Sequence, residues 1–389
     1  MIFACATAPR LRHLLVILPS DRFGGAEAHT VRICAAAEAT GVAVTVAANG
    51  ALHPRLEAPG RRLLDLPVAW RRGLVERARQ AQAEATRAAL AATAPDAALL
   101  PLPWPDRGGG TMVALAEAGL PTMVVAHLAP HHPEEAPGLD DEALAAAGAM
   151  RADWVAVSAP TGARLARFLH LAPERMTVIP NGIDPPPALD REAERAALHA
   201  RLGIQPGTPV ALFLGRLELA KGADRLPMLA EAFARRTDGV LACAGSGALE
   251  QTLQRAAPPG HPLRLLGHQA RPAGLLAAAD AVVLPSRLEG APLAFLEAAS
   301  AGVPVAASPE ALEALGEIAP RVAALADADD LAGMADALAG VALGTPGTAE
   351  RAEAARRLAT AWTAEAMAAR YLARLRRLVL SPLGGGGGG

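Results

Sequence analysis

The chain has 389 residues, more than one hydrophobic core usually supports, so two domains are predicted. Its apolar side chains are small: aromatics make up 3% while Ala, Leu, Val and Pro dominate, a composition that suits parallel sheets covered by helices and not a β-sandwich. A formal net charge of −2 gives no global basic field, so nucleic acid is not expected as a partner.

The opening MIFACATAPRLRH lacks a charged stretch followed by a sustained apolar one, and no run of about twenty apolar residues occurs anywhere. A soluble, cytoplasmic protein is predicted. Short apolar runs then alternate with Ala/Leu/Arg stretches of helical period, the pattern of repeated strand–helix units. Strands are predicted at 13–18, 42–47, 97–102, 122–126 and 154–157, with helices including 26–39, 75–92 and 111–118. A second series follows at 210–214, 240–244, 263–266, 281–284 and 303–306. Between the two, PNGIDPPP at 180–187 reads as a turn and a stiff extended connector, the expected hinge. Beyond Thr348 the pattern is helical, and Trp362, Met367, Tyr371, Leu372 and Leu375 make an apolar stripe beside Arg370, Arg374, Arg376 and Arg377. One long terminal helix is expected. The closing glycines have no side chains to bury, so 381–389 is expected to be a disordered tail.

Two compositional details bear on chemistry. Cys5, Cys34 and Cys243 have no metal-ligand spacing and are too few for a disulfide scaffold, which suits structural thiols in a reducing compartment. Of the 37 basic residues only Lys221 is a lysine. An ammonium is expected to be needed there.

Gly24 and Gly25, in SDRFGGAE, follow the first predicted strand and open the first helix. They either bring bare backbone N–H groups to an anion at a helix N-terminus or make a tight turn. Gly215-Arg216 and Lys221-Gly222 follow the first strand of the second series, at the carboxyl edge where open α/β sheets bind ligands. Arg216 can fork onto phosphate oxygens and Lys221 can supply a compact point charge, the combination that a leaving diphosphate needs. Downstream, PSRLEG places Glu289 in a strand-to-helix loop, and Glu297 is expected about two turns inside the next helix, in the apolar setting LAFLEAASAGVPV. A carboxylate there requires a partner, either a ligand hydroxyl or a neighbouring backbone or Arg. His131 and His132 have a superficial metal spacing that no carboxylate or Cys completes.

Taken in order, these segments resemble the retaining GT-B-fold glycosyltransferases of family 4, the group that uses nucleotide-diphosphate sugars. The resemblance spans nearly the whole chain through FGGAE, Val157-Ser158, VIPNGID, FLGRLELAKG, CAGSGALEQTLQ, LLGH, ADAVVLPSRLEG with its Glu-x7-Glu pair, and AWTAEAMAARYLARL. It implies an α/β fold of two Rossmann-like domains with parallel sheets facing an interdomain cleft. Residues 1–185 would form the acceptor domain, 186–354 the nucleotide-sugar domain, and the helix 355–380 would pack back on the first.

Residue by residue, the resemblance implies that Arg216 and Lys221 bind the donor diphosphate, Glu289 a hydroxyl of the transferred sugar, and Glu297 the ribose hydroxyls. Gly215, Gly245, Gly267 and Gly290 fall in the donor-binding loops, and Gly24 and Gly25 lie on the acceptor side, Gly25 beside the phosphate. His127 matches the family's cleft histidine near the donor sugar, with a satisfied loop histidine as the other reading. In Gly290-Ala291-Pro292-Leu293 the chain departs from the glycine-rich form, and Pro292 supplies no N–H. The N–H groups of Leu293 and Ala294 remain for phosphate. Asp327-Ala-Asp329 resembles the metal motif of the other large glycosyltransferase fold, but it stands before a helix, where acidic residues cap.

The implied reaction moves a sugar from a nucleotide-diphosphate sugar to an acceptor hydroxyl with retention and without a metal or cofactor, in bacterial polysaccharide, lipopolysaccharide or glycolipid synthesis. A GT-B sugar-nucleotide epimerase and a non-catalytic nucleotide-sugar-binding subunit remain as alternatives. The basic segment at 70–79, WRRGLVERAR, is a candidate for peripheral contact with an anionic membrane, against a solvated helix face.

Overall fold

The computed structural model describes residues 10–70, 75–269 and 271–380. Cys5, residues 71–74 of the basic segment and the glycine tail lie outside these. The chain forms two units, Met1–Pro180 with Ala364–Gly389, and Asn181–Thr363. No helix among the described residues is long and apolar enough to cross a membrane.

The first unit is built on seven strands: β1 His13–Ile17, β2 Ala43–Ala48, β3 Arg62–Asp65, β4 Ala97–Leu102, β5 Thr122–Ala126, β6 Ala152–Ala156 and β7 Met176–Val178. All pair in parallel, in the order β3-β2-β1-β4-β5-β6-β7. The second unit repeats the scheme with β8 Val210–Leu214, β9 Val240–Ala244, β10 Leu263–Gly267, β11 Ala281–Leu284, β12 Val305–Ala307 and β13 Ala324–Leu325, in the order β10-β9-β8-β11-β12-β13. These are parallel too.

Apolar runs without polar alternation form these strands because helices cover both sheet faces. In β8, Val210 and Leu212 join one core with Val282, Leu284 and Phe295, while Ala211 and Phe213 join another with Phe233, Leu241 and Val283. That two-residue alternation places small side chains on both sides of one ribbon. The first unit's core holds Leu15, Ile17, Leu100, Leu102, Val124 and Trp154. Cys34 and Cys243 are buried and free, and burial pushes both thiols up to about 12.

One device recurs in both units. Asp96, just before β4, accepts from the N–H groups of Arg12 and His13 at 2.7 and 2.8 Å. Asp280, just before β11, accepts from Val210 N–H at 2.7 Å and pairs with Arg195. Each aspartate ties the start of the first strand to the strand beside it. Strand order reverses at those places, between β1 and β4 and between β8 and β11. In doubly wound sheets the loops leaving the carboxyl ends at such a reversal form the crevice that takes ligands.

Several expected elements differ from the observed ones. β3, β7 and β13 are absent from the sequence reading because they are short, half-buried edge strands with no long apolar run. β12 begins at Val305, because Val303 N–H is still bonded to Ala298 O at 2.9 Å, at the end of the preceding helix. The single terminal helix is two, Thr348–Ala361 and Ala364–Leu380. Between them Trp362 packs on the second unit's core and accepts from Ile183 N–H at 3.0 Å, while Ile183 bridges to Thr363. The boundary therefore falls at 180/181 and at 363/364, not at 185/186 and 354/355. Ala355 and Ala359 are buried in the second unit's core. The basic segment also differs: Trp70 is buried, and Arg79 pairs with Glu76, Asp140 and Glu142. Those two residues turn toward the protein, while Glu76 and Arg77 stay exposed.

Candidate active site

In the second unit the crevice loops leave β8 and β11. Gly215, Arg216 and Lys221 come from the first, Ser286 and Glu289 from the second. Lys221 closes a 3₁₀ turn, Leu219–Lys221, and Gly222 follows in the left-handed region at φ 68°. A Cβ on Gly222 would come within 2.0 Å of Pro285 O, so glycine is required for sterics and for conformation. This lets the two loops touch backbone to backbone.

Their side chains then meet. Lys221 Nζ donates to Glu289 Oε2 at 2.5 Å, and Ser286 Oγ donates to Glu289 Oε1 at 3.0 Å. The Lys221 and Glu289 side chains are 20% and 11% exposed, shielded enough for a charge-assisted bond to be worth more than a surface ion pair. Sequence spacing gave no sign of this pairing across 68 residues. Arg216 points elsewhere: its Nη1 donates to Glu218 at 2.8 Å, and its side chain is 54% exposed. The expected convergence of two cations is thus replaced by two ion pairs, Lys221 with Glu289 and Arg216 with Glu218.

The other glycines expected in donor-binding loops lie along the same sheet edge. Gly215 N–H donates to Ala244 O at 3.1 Å and Gly245 N–H to Gly267 O at 2.9 Å. A Cβ on Gly245 would lie 1.8 Å from Gly215 O, so the loops after β8 and β9 approach closely only because Gly245 is glycine. Gly245→Ala should lower the second unit's stability by several kcal/mol, on the order of other steric overpacking changes. An unchanged unfolding midpoint would contradict that close approach. Gly290 is buried.

Pro292 caps the helix Leu293–Ser300 in an extended conformation, so the N–H groups of Leu293 and Ala294 open that helix and lack intrahelical acceptors. Glu297 is its fifth residue, about one turn inside rather than two, because the loop through Pro292 stays non-helical. It is half-buried and has a polar or charged partner within the protein. Asp329 pairs with Arg225, and the residue that caps the helix Leu331–Ala342 is Asp330, which accepts from Gly333 N–H at 2.9 Å. Among the described residues no group of three or more His, Cys, Asp or Glu is arranged to hold a metal ion.

In the first unit the loop after β1 carries Gly24 and Gly25. Buried Glu27 accepts from Gly24 N–H at 2.7 Å and from Ser20 Oγ. Gly24 N–H is therefore engaged within the loop, as the tight-turn reading has it, and is not a bare donor. The helix Gly25–Ala39 starts at the second glycine, whose N–H has no intrahelical acceptor. Glu27 was missed because a glutamate at the third helical position signals a capping box only when the cap is recognised, and here the cap is glycine.

His127 follows β5 and donates its backbone N–H to Leu102 O at 3.0 Å. The residue is partly exposed, yet its Nε2 is buried with no hydrogen-bond partner among the described residues. Its ring meets His29 at 4.8 Å between centroids and 81° between planes, and His29 meets Tyr371 at 5.0 Å and 81°. Burial pushes His127 down to about 3, and burial followed by His127 and Arg32 pushes His29 well below the usual histidine range. His127 is thus a neutral ring that can give or take one hydrogen bond. This column of rings was not expected from the sequence; Tyr371 read only as part of an apolar stripe. His131 and His132 line a separate open cavity of about 500 Å³ with Arg167, Phe168 and His170.

Two family models match the chain: Glycosyltransferase Family 4 over residues 23–186 and Glycosyl transferases group 1 over 208–342. A D-inositol 3-phosphate glycosyltransferase of Xylanimonas cellulosilytica is 31% identical over 180 residues, 43% of this chain and 42% of that protein. The match thus spans about two fifths of that relative's length. Among solved structures, sucrose-phosphate synthase of Thermosynechococcus elongatus superposes with a TM-score of 0.75 at 19% identity, covering 94% of this chain and 99% of that one. Anabaena HepE in complex with UDP and glucose superposes with a TM-score of 0.72 at 20% identity, over 94% and 99%. The shared fold is the GT-B α/β class. Because both units are matched in order and on the segments that carry the motifs, the chain belongs to the group 1, family 4 glycosyltransferases.

Proposed function

We propose that this chain moves a glycosyl group from a nucleoside-diphosphate sugar to an acceptor hydroxyl, with retention and without a divalent metal. The observation that carries the reading is the Lys221–Glu289 pair at the switch point of the second sheet, beside the N-terminus of the helix Leu293–Ser300. An ammonium held by a carboxylate can turn to a diphosphate, where leaving-group charge develops, while Glu289 is freed toward a sugar hydroxyl. Backbone N–H groups of Leu293 and Ala294 add fixed positive ends of dipoles. Arg216 is exposed enough to swing from Glu218 to the same anion. Retention is supported by the family resemblance: no side chain in the motifs is placed as a nucleophile, and attack on the donor face with the leaving phosphate as base fits these residues.

HepE, a structural relative, was solved with UDP and with UDP-glucose, so UDP-hexoses are the first donors to test. The name of the Xylanimonas relative makes inositol phosphate the first acceptor to test, beside glycolipid and polysaccharide acceptors.

Lys221 offers a direct assay. It is the chain's only lysine, so acylation by an amine reagent, read by mass spectrometry on the 221 peptide, reports one site. UDP or a UDP-sugar is expected to slow that acylation at least tenfold, equally with and without EDTA, and acceptor is expected to be required for release of free UDP. Protection that is lost with EDTA and restored by Mn²⁺ would refute metal independence. UDP-sugar conversion without acceptor would favour an epimerase, and protection without any turnover a binding subunit.

A further inference from the structure

Lys221 and Glu289 sit on different loops, and their bond exists only while those loops keep a fixed spacing. Arg287 makes most of the contacts that set it. Its Nη1 donates to Leu219 O at 2.8 Å and to Asp224 Oδ1 at 2.6 Å, and its Nη2 donates to Asp224 Oδ2 at 2.8 Å. Its backbone N–H donates to Ala220 O at 2.8 Å, and Leu288 N–H reaches the same oxygen at 3.3 Å. Leu219, Ala220 and Asp224 flank Lys221, while Arg287 lies two residues before Glu289. From the other side, Arg225 Nη1 donates to Pro285 O at 3.3 Å.

A planar guanidinium bound to both oxygens of one carboxylate and to a carbonyl beyond it fixes direction as well as distance, which a lysine at 287 could not do. The bond to Arg287 also holds the Asp224 carboxyl below the usual carboxylate range. Side-chain exposures of 38% and 31% mean that the pair adds little to global stability. Its geometric effect falls on the loop that carries the ammonium.

We propose that Arg287 and Asp224 are positioning residues that lock the two crevice loops together and so hold Lys221 against Glu289. The idea rests on the functional reading above for its effect on turnover, but not for its effect on Lys221 itself. Opening the lock lets the 3₁₀ turn Leu219–Lys221 move away from Ser286 and Glu289, so the ammonium becomes accessible and is no longer aimed.

The test uses Arg287→Ala, Asp224→Ala and the double variant in the full chain. Each single variant is expected to raise the acylation rate of Lys221 at least fivefold and to lower kcat about tenfold, with the unfolding midpoint within a degree or two of wild type. The double variant should match the singles, since either change opens the same lock. Arg287→Lys should behave like Arg287→Ala, because a point charge cannot replace the fork. Wild-type acylation rates in both single variants would overturn the proposal, as would strictly additive losses in the double variant. If the variants speed acylation but UDP does not protect wild-type Lys221, the lock stands and the donor site is wrong.

Discussion

Lys221→Ala is expected to lower kcat roughly 10²-fold or more, the scale of removing one preorganised transition-state donor. The side chain is held by Glu289 and is not packed in a core, so the unfolding midpoint should fall by little. The pairing adds a second consequence. Without the ammonium, Glu289 keeps the hydroxyl of Ser286 as its one hydrogen-bond partner among the described residues, and its negative charge then faces any incoming diphosphate. Donor KM should therefore rise as well as kcat fall, and Glu289→Gln in the Lys221→Ala background should recover part of the KM while leaving kcat low.

Lys221→Arg is expected to fall nearer to alanine than to wild type. A guanidinium is larger and planar, and the turn that carries residue 221 is pinned by Gly222 so close to Pro285 O that an added Cβ on Gly222 would lie only 2.0 Å from it. Steady-state kinetics with the donor that protects Lys221 decides between outcomes. Near-normal turnover by the arginine variant means that only charge matters at 221, and near-normal turnover by the alanine variant removes the proposed site altogether.

The repeated strand–helix pattern and the place of the glycine loops at strand ends were readable because they depend on local signals: apolar runs, turn residues and the place of a motif relative to a strand end. Pairings across long sequence distances were not readable. Lys221 was singled out by its rarity, but that Glu289 holds it follows from strand order, which brings the β8 and β11 loops together. Arg216 was assigned to the same point from its charge, yet a free arginine on a loop takes the nearest carboxylate, Glu218. Glu27 was hidden because its partners are a backbone N–H and a serine seven residues away. The break at Trp362 had no local signal. The residue is helical by pattern, and only the core it joins and the strand-like contact with Ile183 interrupt the helix.

Lowering the pH from 7.5 to 5.5 is expected to destabilise the first unit by about 3 kcal/mol through His29 and His127 alone. Both rings are held neutral in the folded chain, His29 by burial and then by His127 and Arg32, His127 by burial. In the unfolded chain each takes a proton near pH 6.5. Below that pH the unfolded state binds more protons than the folded one, so stability is present at high pH and is lost as pH falls. Two units of pH across that midpoint correspond to about 1.4 kcal/mol for each histidine. Of the groups around the column, Tyr371 does not compensate, because burial pushes its phenol above its ordinary value. Arg32 and Arg370 stay charged throughout.

Urea unfolding followed by tryptophan fluorescence suits the measurement, because Trp70, Trp104 and Trp154 all lie in the first unit. The double variant His29→Phe with His127→Phe keeps aromatic volume and should lose most of the pH slope, and each single variant should lose about half. It should also be at least as stable as wild type at pH 5.5, since His29 Nδ1, His29 Nε2 and His127 Nε2 have no hydrogen-bond partners among the described residues. Equal slopes for wild type and the double variant would mean that the folded protein protonates these rings.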